Sequence, residues 1–206
     1  MSNLPFPLSP ELAAQLTSAL DVEGKIPRAV EALGPVAGRD VLLLDGAGSA
    51  LEAAIEGLGA RVARGAGSLP FRADLGDASI DAIVSLWSGF RGVNAQEIAE
   101  ADRILRPGGR LLVIHDYGRD DVSRIAPDRP EYGAWSNRGG PFLKGGFRVR
   151  VLHCFWTFGS AAATAAFLQT AFGDAGREVA ATLKRPRLSY NVAIYHRTRG
   201  GEPPAA

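Results

Sequence analysis

The chain has 206 residues, 46% hydrophobic and 22% charged, which is enough apolar material for one well-buried core and too little for a second full domain. Its 23 basic and 22 acidic side chains leave a formal charge of +1, so there is no global electrostatic reason to expect nucleic acid or an anionic membrane as a partner. Cys154 is the only cysteine, which excludes an intrachain disulfide. No uncharged apolar run is long enough to span a bilayer, and MSNLPFPLSP lacks a basic-then-apolar leader, so a soluble cytoplasmic protein is the expectation.

Ser9, Pro10 and Glu11 start a helix, because a serine oxygen caps free amides and proline fits the first turn; Leu12, Leu16 and Leu20 then share one face. A second helix is predicted over Ile26–Leu33, stopped by Gly34-Pro35. Val41–Asp45 is a continuous apolar run suited to a strand buried on both faces of a parallel sheet. A helix over Ala50–Leu58, a short strand over Ala60–Arg64 and an apolar strand over Ile80–Leu86 follow. Asn94 caps a helix running to Arg106, Pro107-Gly108-Gly109 turns the chain, and Arg110–His115 is the next strand. This alternation is the signature of an α/β sheet with helices on its faces.

Residues 118–146, rich in Gly, Pro, Arg and Asp, interrupt the pattern as a long loop or lid holding at most short helical turns. A strand over Phe147–Phe158, a helix over Ser160–Phe172 ended by Gly173, a shorter helix and a final strand over Leu188–Arg197 complete one domain spanning residues 1–199. The helices of residues 1–35 lie at its amino end, and 200–206 form a disordered tail.

Four ordered segments of this chain resemble class I S-adenosylmethionine-dependent methyltransferases. They are Asp45-Gly46-Ala47-Gly48 after the first strand, SLPF at Ser68–Phe71, SIDAIVSLWS at Ser79–Ser88, and ILRPGGRLLVIHD at Ile104–Asp116. The resemblance implies a Rossmann-like, three-layer αβα sheet with an antiparallel carboxy-terminal strand, a ligand crevice at the strand carboxyl ends, and S-adenosylmethionine as cofactor. It places Asp45, Gly46, Ala47, Gly48, Ser49, Leu69 and Trp87 at the cofactor. The glycines admit close approach, the amides opening the Ala50 helix receive an anionic group, and Asp45 faces the cofactor's cationic end. A dinucleotide reading fits less well, since Leu51 stands at its third glycine and Arg64 at its acidic residue.

The chain also departs from the family. Between Arg64 and Leu69 there are only Gly65, Ala66, Gly67 and Ser68, too few for the helix and third strand that normally follow the second strand. That unit is expected to be missing, which leaves the Ala60–Arg64 strand at the sheet edge, guarded by Arg61 and Arg64. The acids that bind the ribose and lie near the adenine are both replaced, so weakened or lost cofactor binding is expected.

His115, Asp116 and Tyr117, at the end of a central strand, are the candidate catalytic residues, with His115 the best base on intrinsic pKa; the plain alternative is that they end the strand and cap the next turn. Trp87 either walls the pocket or is core. Trp135 and Arg138 belong to a lid or to a packed surface loop. His153 and Cys154 are expected in the core without forming a metal site, and His196 at the surface. Two functions follow: a methyltransferase acting on a small-molecule substrate, or a noncatalytic relative serving as a binding or assembly module. A homodimer or a partner subunit is compatible with either.

Overall fold

The computed structural model describes residues 4–67, 74–129 and 131–200. Val41–Leu44 of strand β1 (Asp40–Leu44) are apolar on both sides, and all four are buried within a six-stranded sheet. The order is β2 (Arg61–Gly65), β1, β3 (Ile80–Leu86), β4 (Leu105–Asp116), β6 (Arg187–Thr198), β5 (Arg148–Thr157). The first four strands are parallel, and β6 is antiparallel to both its neighbours. Strand β3 pairs directly with β1, from Val41 opposite Ala82 to Leu44 opposite Ser85, so β2 is an edge strand and no further strand lies beyond it among the described residues. The expected edge position of β2 is therefore borne out.

One sheet face packs under α1 (Pro10–Ala19), α2 (Lys25–Leu33), α3 (Ala50–Gly57) and α6 (Ala161–Thr182), with Leu16, Val30, Ile55 and Leu168 fully buried against it. Helix α6 breaks at Gly173, whose φ of 59° and ψ of −133° divide it where the sequence pattern divides two helices. The other face is covered by α4 (Ala95–Ile104) and by the later part of the long loop with α5 (Pro141–Lys144), while the loop's first part, with a 3₁₀ turn (Val122–Arg124), packs Val122 and Ile125 on the helix-covered face. The loop is packed: Trp135 and Phe142 are buried, and the Phe142 ring stacks on Tyr195 of β6 with centroids 3.8 Å apart. Arg138 is exposed.

On strand β5 the side-chain alternation buries Cys154 and leaves His153 exposed, which corrects the expectation of two core residues. The His153 ring is still satisfied, its Nδ1 lying 2.7 Å from the Asn191 side-chain oxygen, and burial pushes the Cys154 thiol up to about 12. His196, expected at the surface, is half-buried. Residues 201–206, most of the expected tail, lie outside the described residues.

The Pro-Gly-Gly turn differs in one respect from the expectation. Helix α4 ends at Ile104 and β4 begins at once, Leu105 pairing with Ile80 and Arg110 with Ala82, so residues 106–109 bulge out of the ladder. Gly108 has a φ of 78°, and a Cβ on Gly109 would lie 2.8 Å from the Arg106 carbonyl oxygen and 3.0 Å from that of Asp81. Both obstacles are backbone, so Gly109→Ala should lower the unfolding free energy by about 1–3 kcal/mol, read from urea denaturation.

Candidate functional site at the strand carboxyl ends

The sheet's carboxyl edge is built on two turns, after β1 and after β3. Backbone strain gathers there: Asp45, Trp87, Phe90 and Val93 all have φ between 53° and 58°. Left-handed conformations cost non-glycine residues roughly 1–3 kcal/mol each and concentrate at ligand sites.

In the first turn, Gly46 is buried, and a Cβ there would lie 2.5 Å from the Leu43 side chain. Gly48 has a φ of 74° and Ala47 is exposed. Ser49 caps α3, its Oγ accepting the Glu52 amide at 3.0 Å, while the Glu52 carboxylate accepts the Gly48 amide at 2.6 Å. This Ser-x-x-Glu arrangement is close to a capping box, with the carboxylate reaching one residue further back. Glu52 is buried and ion-paired to Arg64, which also holds Glu56 at 2.7 Å. The Gly48 amide thus already has an anion, and Arg64, at the end of β2, is that anion's counter-ion.

Asp45 does not face an open cleft. One of its oxygens accepts the Gly67 amide at 2.8 Å and the Ser88 hydroxyl, tying the exit of β2 to the exit of β3. Gly67 is buried in that position: a Cβ on it would lie 2.8 Å from Asp45, 2.9 Å from Ser88 Oγ and 3.0 Å from the Gly89 amide nitrogen. Leu69, with the rest of the SLPF segment, lies outside the described residues.

Alternation along β4 separates the three candidate catalytic residues. His115 lies on the loop-covered face, 1% exposed, its Nε2 donating to the Gly89 carbonyl at 3.0 Å and its ring edge-on to Trp135. Burial, with a further push from Arg91, holds its pKa down at about 3. Tyr117 packs on that same side, with Arg119 over its ring. Asp116 lies on the opposite face, also 1% exposed, and accepts hydrogen bonds from Trp87 Nε1 at 3.1 Å, the Tyr190 hydroxyl, and Arg129 at 2.6 Å. Burial raises its pKa to about 6, with Arg129 and Tyr190 opposing. Arg129 is further paired with buried Glu131, which holds Arg91.

Trp87 joins this network to a cavity of about 390 Å³ between the amino-terminal helices and the start of α3. Leu20, Val22 and Ile26 wall it on one side, Ser49, Leu51 and Trp87 on the other. Of the candidate residues, Ser49 and Trp87 border this space, and Asp116 touches it through Trp87.

The sequence reading missed Tyr190, Arg129 and Glu131, which reach the site from distant segments and carry no local signal. Glu52 was detectable, since Ser49-x-x-Glu52 is a readable helix-start pattern.

Three groups of this edge are engaged within the chain: Arg64 is ion-paired to Glu52, Asp45 accepts the Gly67 amide, and Glu52 accepts the Gly48 amide. Among the described residues no group of three or more His, Cys, Asp or Glu side chains is placed to hold a metal, and no helix is long and apolar enough to cross a membrane.

Sheet order, crossovers and the position of the glycine turn are those of the class I S-adenosylmethionine-dependent methyltransferase fold, with no strand beyond β2 among the described residues. A candidate type II methyltransferase from Anaeromyxobacter dehalogenans superposes with a TM-score of 0.51 at 18% identity, over 84% of this chain and 95% of that one. A candidate methyltransferase of an antibiotic biosynthesis pathway from Anabaena variabilis gives 0.52 at 15% identity, over 88% and 99%. No protein-family model and no curated protein matches the chain.

The two buried groups of β4 act on stability in opposite directions. Asp116, raised to about 6, lets the folded state hold a proton that the unfolded chain has lost, so its contribution falls as pH rises from about 4 to 6; His115, lowered to about 3, contributes the reverse slope. Replacing Asp116 by Asn removes the first slope. Relative to the parent chain, the variant should therefore gain up to about 1.4 kcal/mol per pH unit between pH 4 and 6, measured by urea titration at each pH.

Proposed function

We propose that this chain is a noncatalytic methyltransferase-fold protein that works as a binding or assembly module for a small molecule. Two hydrogen bonds within the chain support the reading, the Gly67 amide to Asp45 and the Gly48 amide to Glu52, at residues the resemblance assigns to the cofactor. Admitting S-adenosylmethionine means breaking two hydrogen bonds to carboxylates, each worth roughly 1.5–3 kcal/mol. At about 1.4 kcal/mol per tenfold, affinity falls by about two to four orders of magnitude. A cytoplasmic location, with self-association or a partner subunit, belongs to the same proposal.

The second reading, a small-molecule methyltransferase with weak S-adenosylmethionine binding, is favoured by the cavity beside Ser49 and Trp87. In that reading Asp45–Ser49, Leu69 and Trp87 line the cofactor once residues 66–67 withdraw. The acceptor lies near His115, Asp116 and Tyr117, with Asp116 the base, because it is on the cavity's face and titrates near 6.

Calorimetric titration with S-adenosylmethionine and S-adenosylhomocysteine separates the two. The noncatalytic reading expects neither heat nor a thermal shift at millimolar ligand. A submillimolar Kd, or methyl transfer by the isolated chain, overturns it.

A further inference from the structure

The cavity beside Trp87 has an unusual wall: its polar side chains are already used. Thr17 and Ser18 donate to the carbonyls of Ala13 and Ala14 at 2.8 and 3.1 Å. Ser49 Oγ accepts the Glu52 amide, and Trp87 Nε1 is held by Asp116 and by Tyr190 at 2.9 Å. Among the described residues, Asp21 is the only ionisable one in the wall. Its two oxygens take the Lys25 and Ile26 amides at 3.0 and 2.7 Å, capping α2 from a strained φ of 51°. The remaining side chains are hydrocarbon, chiefly Leu4, Leu20, Ile26, Leu51, Ala54 and Leu86.

A site of this volume falls in the range of roughly 300–1,000 Å³ typical of small-molecule pockets. An ion buried there would meet no oppositely charged side chain of the described wall, at a cost of several kcal/mol, whereas burying hydrocarbon is favourable over its whole area. We infer that the cavity between α1, α2 and α3 is the binding site for a neutral, largely hydrocarbon small molecule, entering past Val22. Val22 belongs to the wall and is 60% exposed, which places it at the rim. The inference rests on the reading of the chain as a binding module and supplies the class of its ligand.

The test is calorimetry with three probes of one shape on the full chain: 2-naphthol, naphthalene-2-sulfonate and a 2-naphthyl trimethylammonium salt. The neutral probe should bind at least tenfold more tightly than either ion. Ala54→Phe, which fills the wall of α3, should weaken 2-naphthol at least tenfold; Val22→Trp, at the exposed rim, gives the same readout should the first variant fail to fold. No heat from 2-naphthol at millimolar concentration, equal affinity for a charged probe, or a folded variant with unchanged affinity would each overturn the assignment. S-adenosylmethionine titrated into the same chain keeps the two proposals apart. Its binding alongside 2-naphthol overturns the noncatalytic reading alone, and silence from both ligands overturns the cavity alone.

Discussion

Residues 66–79 must carry the chain from the carboxyl end of the edge strand β2, past β1, to the amino end of β3. A parallel connection has to pass over the end of the sheet and descend one face, and here it does so without a described helix of its own. The near part lies in the crevice, where Gly67 sits against Asp45, Ser88 and Gly89; the far part descends beside α4, where Arg103 holds the Leu75 carbonyl at 2.9 Å and Asp77 at 2.6 Å. The contact of Gly67 with Asp45 follows from that short link: β3 pairs directly with β1, and the chain leaving β2 is held at the crevice by Asp45.

The same shortening explains the unequal layers. Four helices and the start of the long loop cover one face, while α4 and the rest of the loop cover the other, with Trp135 and Phe142 doing the work of a helix's apolar stripe. Covering a sheet with irregular chain leaves buried polar groups to satisfy, and ion pairs of the loop serve two buried carboxylates: Arg129 holds Asp116, and Glu131 holds Arg129 and Arg91 of the turn after β3. Asp116 therefore links three parts of the molecule, namely the loop through Arg129, the last strand through Tyr190 and the cavity wall through Trp87.

Most of the architecture was legible in the residues. Strand and helix positions followed from apolar runs and caps, the edge position of β2 from the shortness of the link, and the break at Gly173 from its place in the pattern. Much less of the site was legible, for a definite reason. Periodicity reports which face a residue occupies, yet it says nothing about which distant group completes its hydrogen bonds, and Asp45, Glu52 and Asp116 are defined by partners 22, 12 and 74 positions away. Two signals were present nonetheless. The period-two alternation through Ile114, His115 and Asp116 already puts the imidazole and the carboxylate on opposite sides of the sheet, and Ser49-x-x-Glu52 already announces a carboxylate turned back towards the glycine turn.

The lone sulfur on β5 has a practical meaning. Packed beneath the helices with its thiol held in the protonated form, Cys154 offers oxidants and alkylating reagents no thiolate to attack while the chain is folded. Covalent dimers appearing in a preparation would thus count molecules that have come apart, and the rate of thiol labelling would clock the opening of the sheet's far edge without any reporter being added.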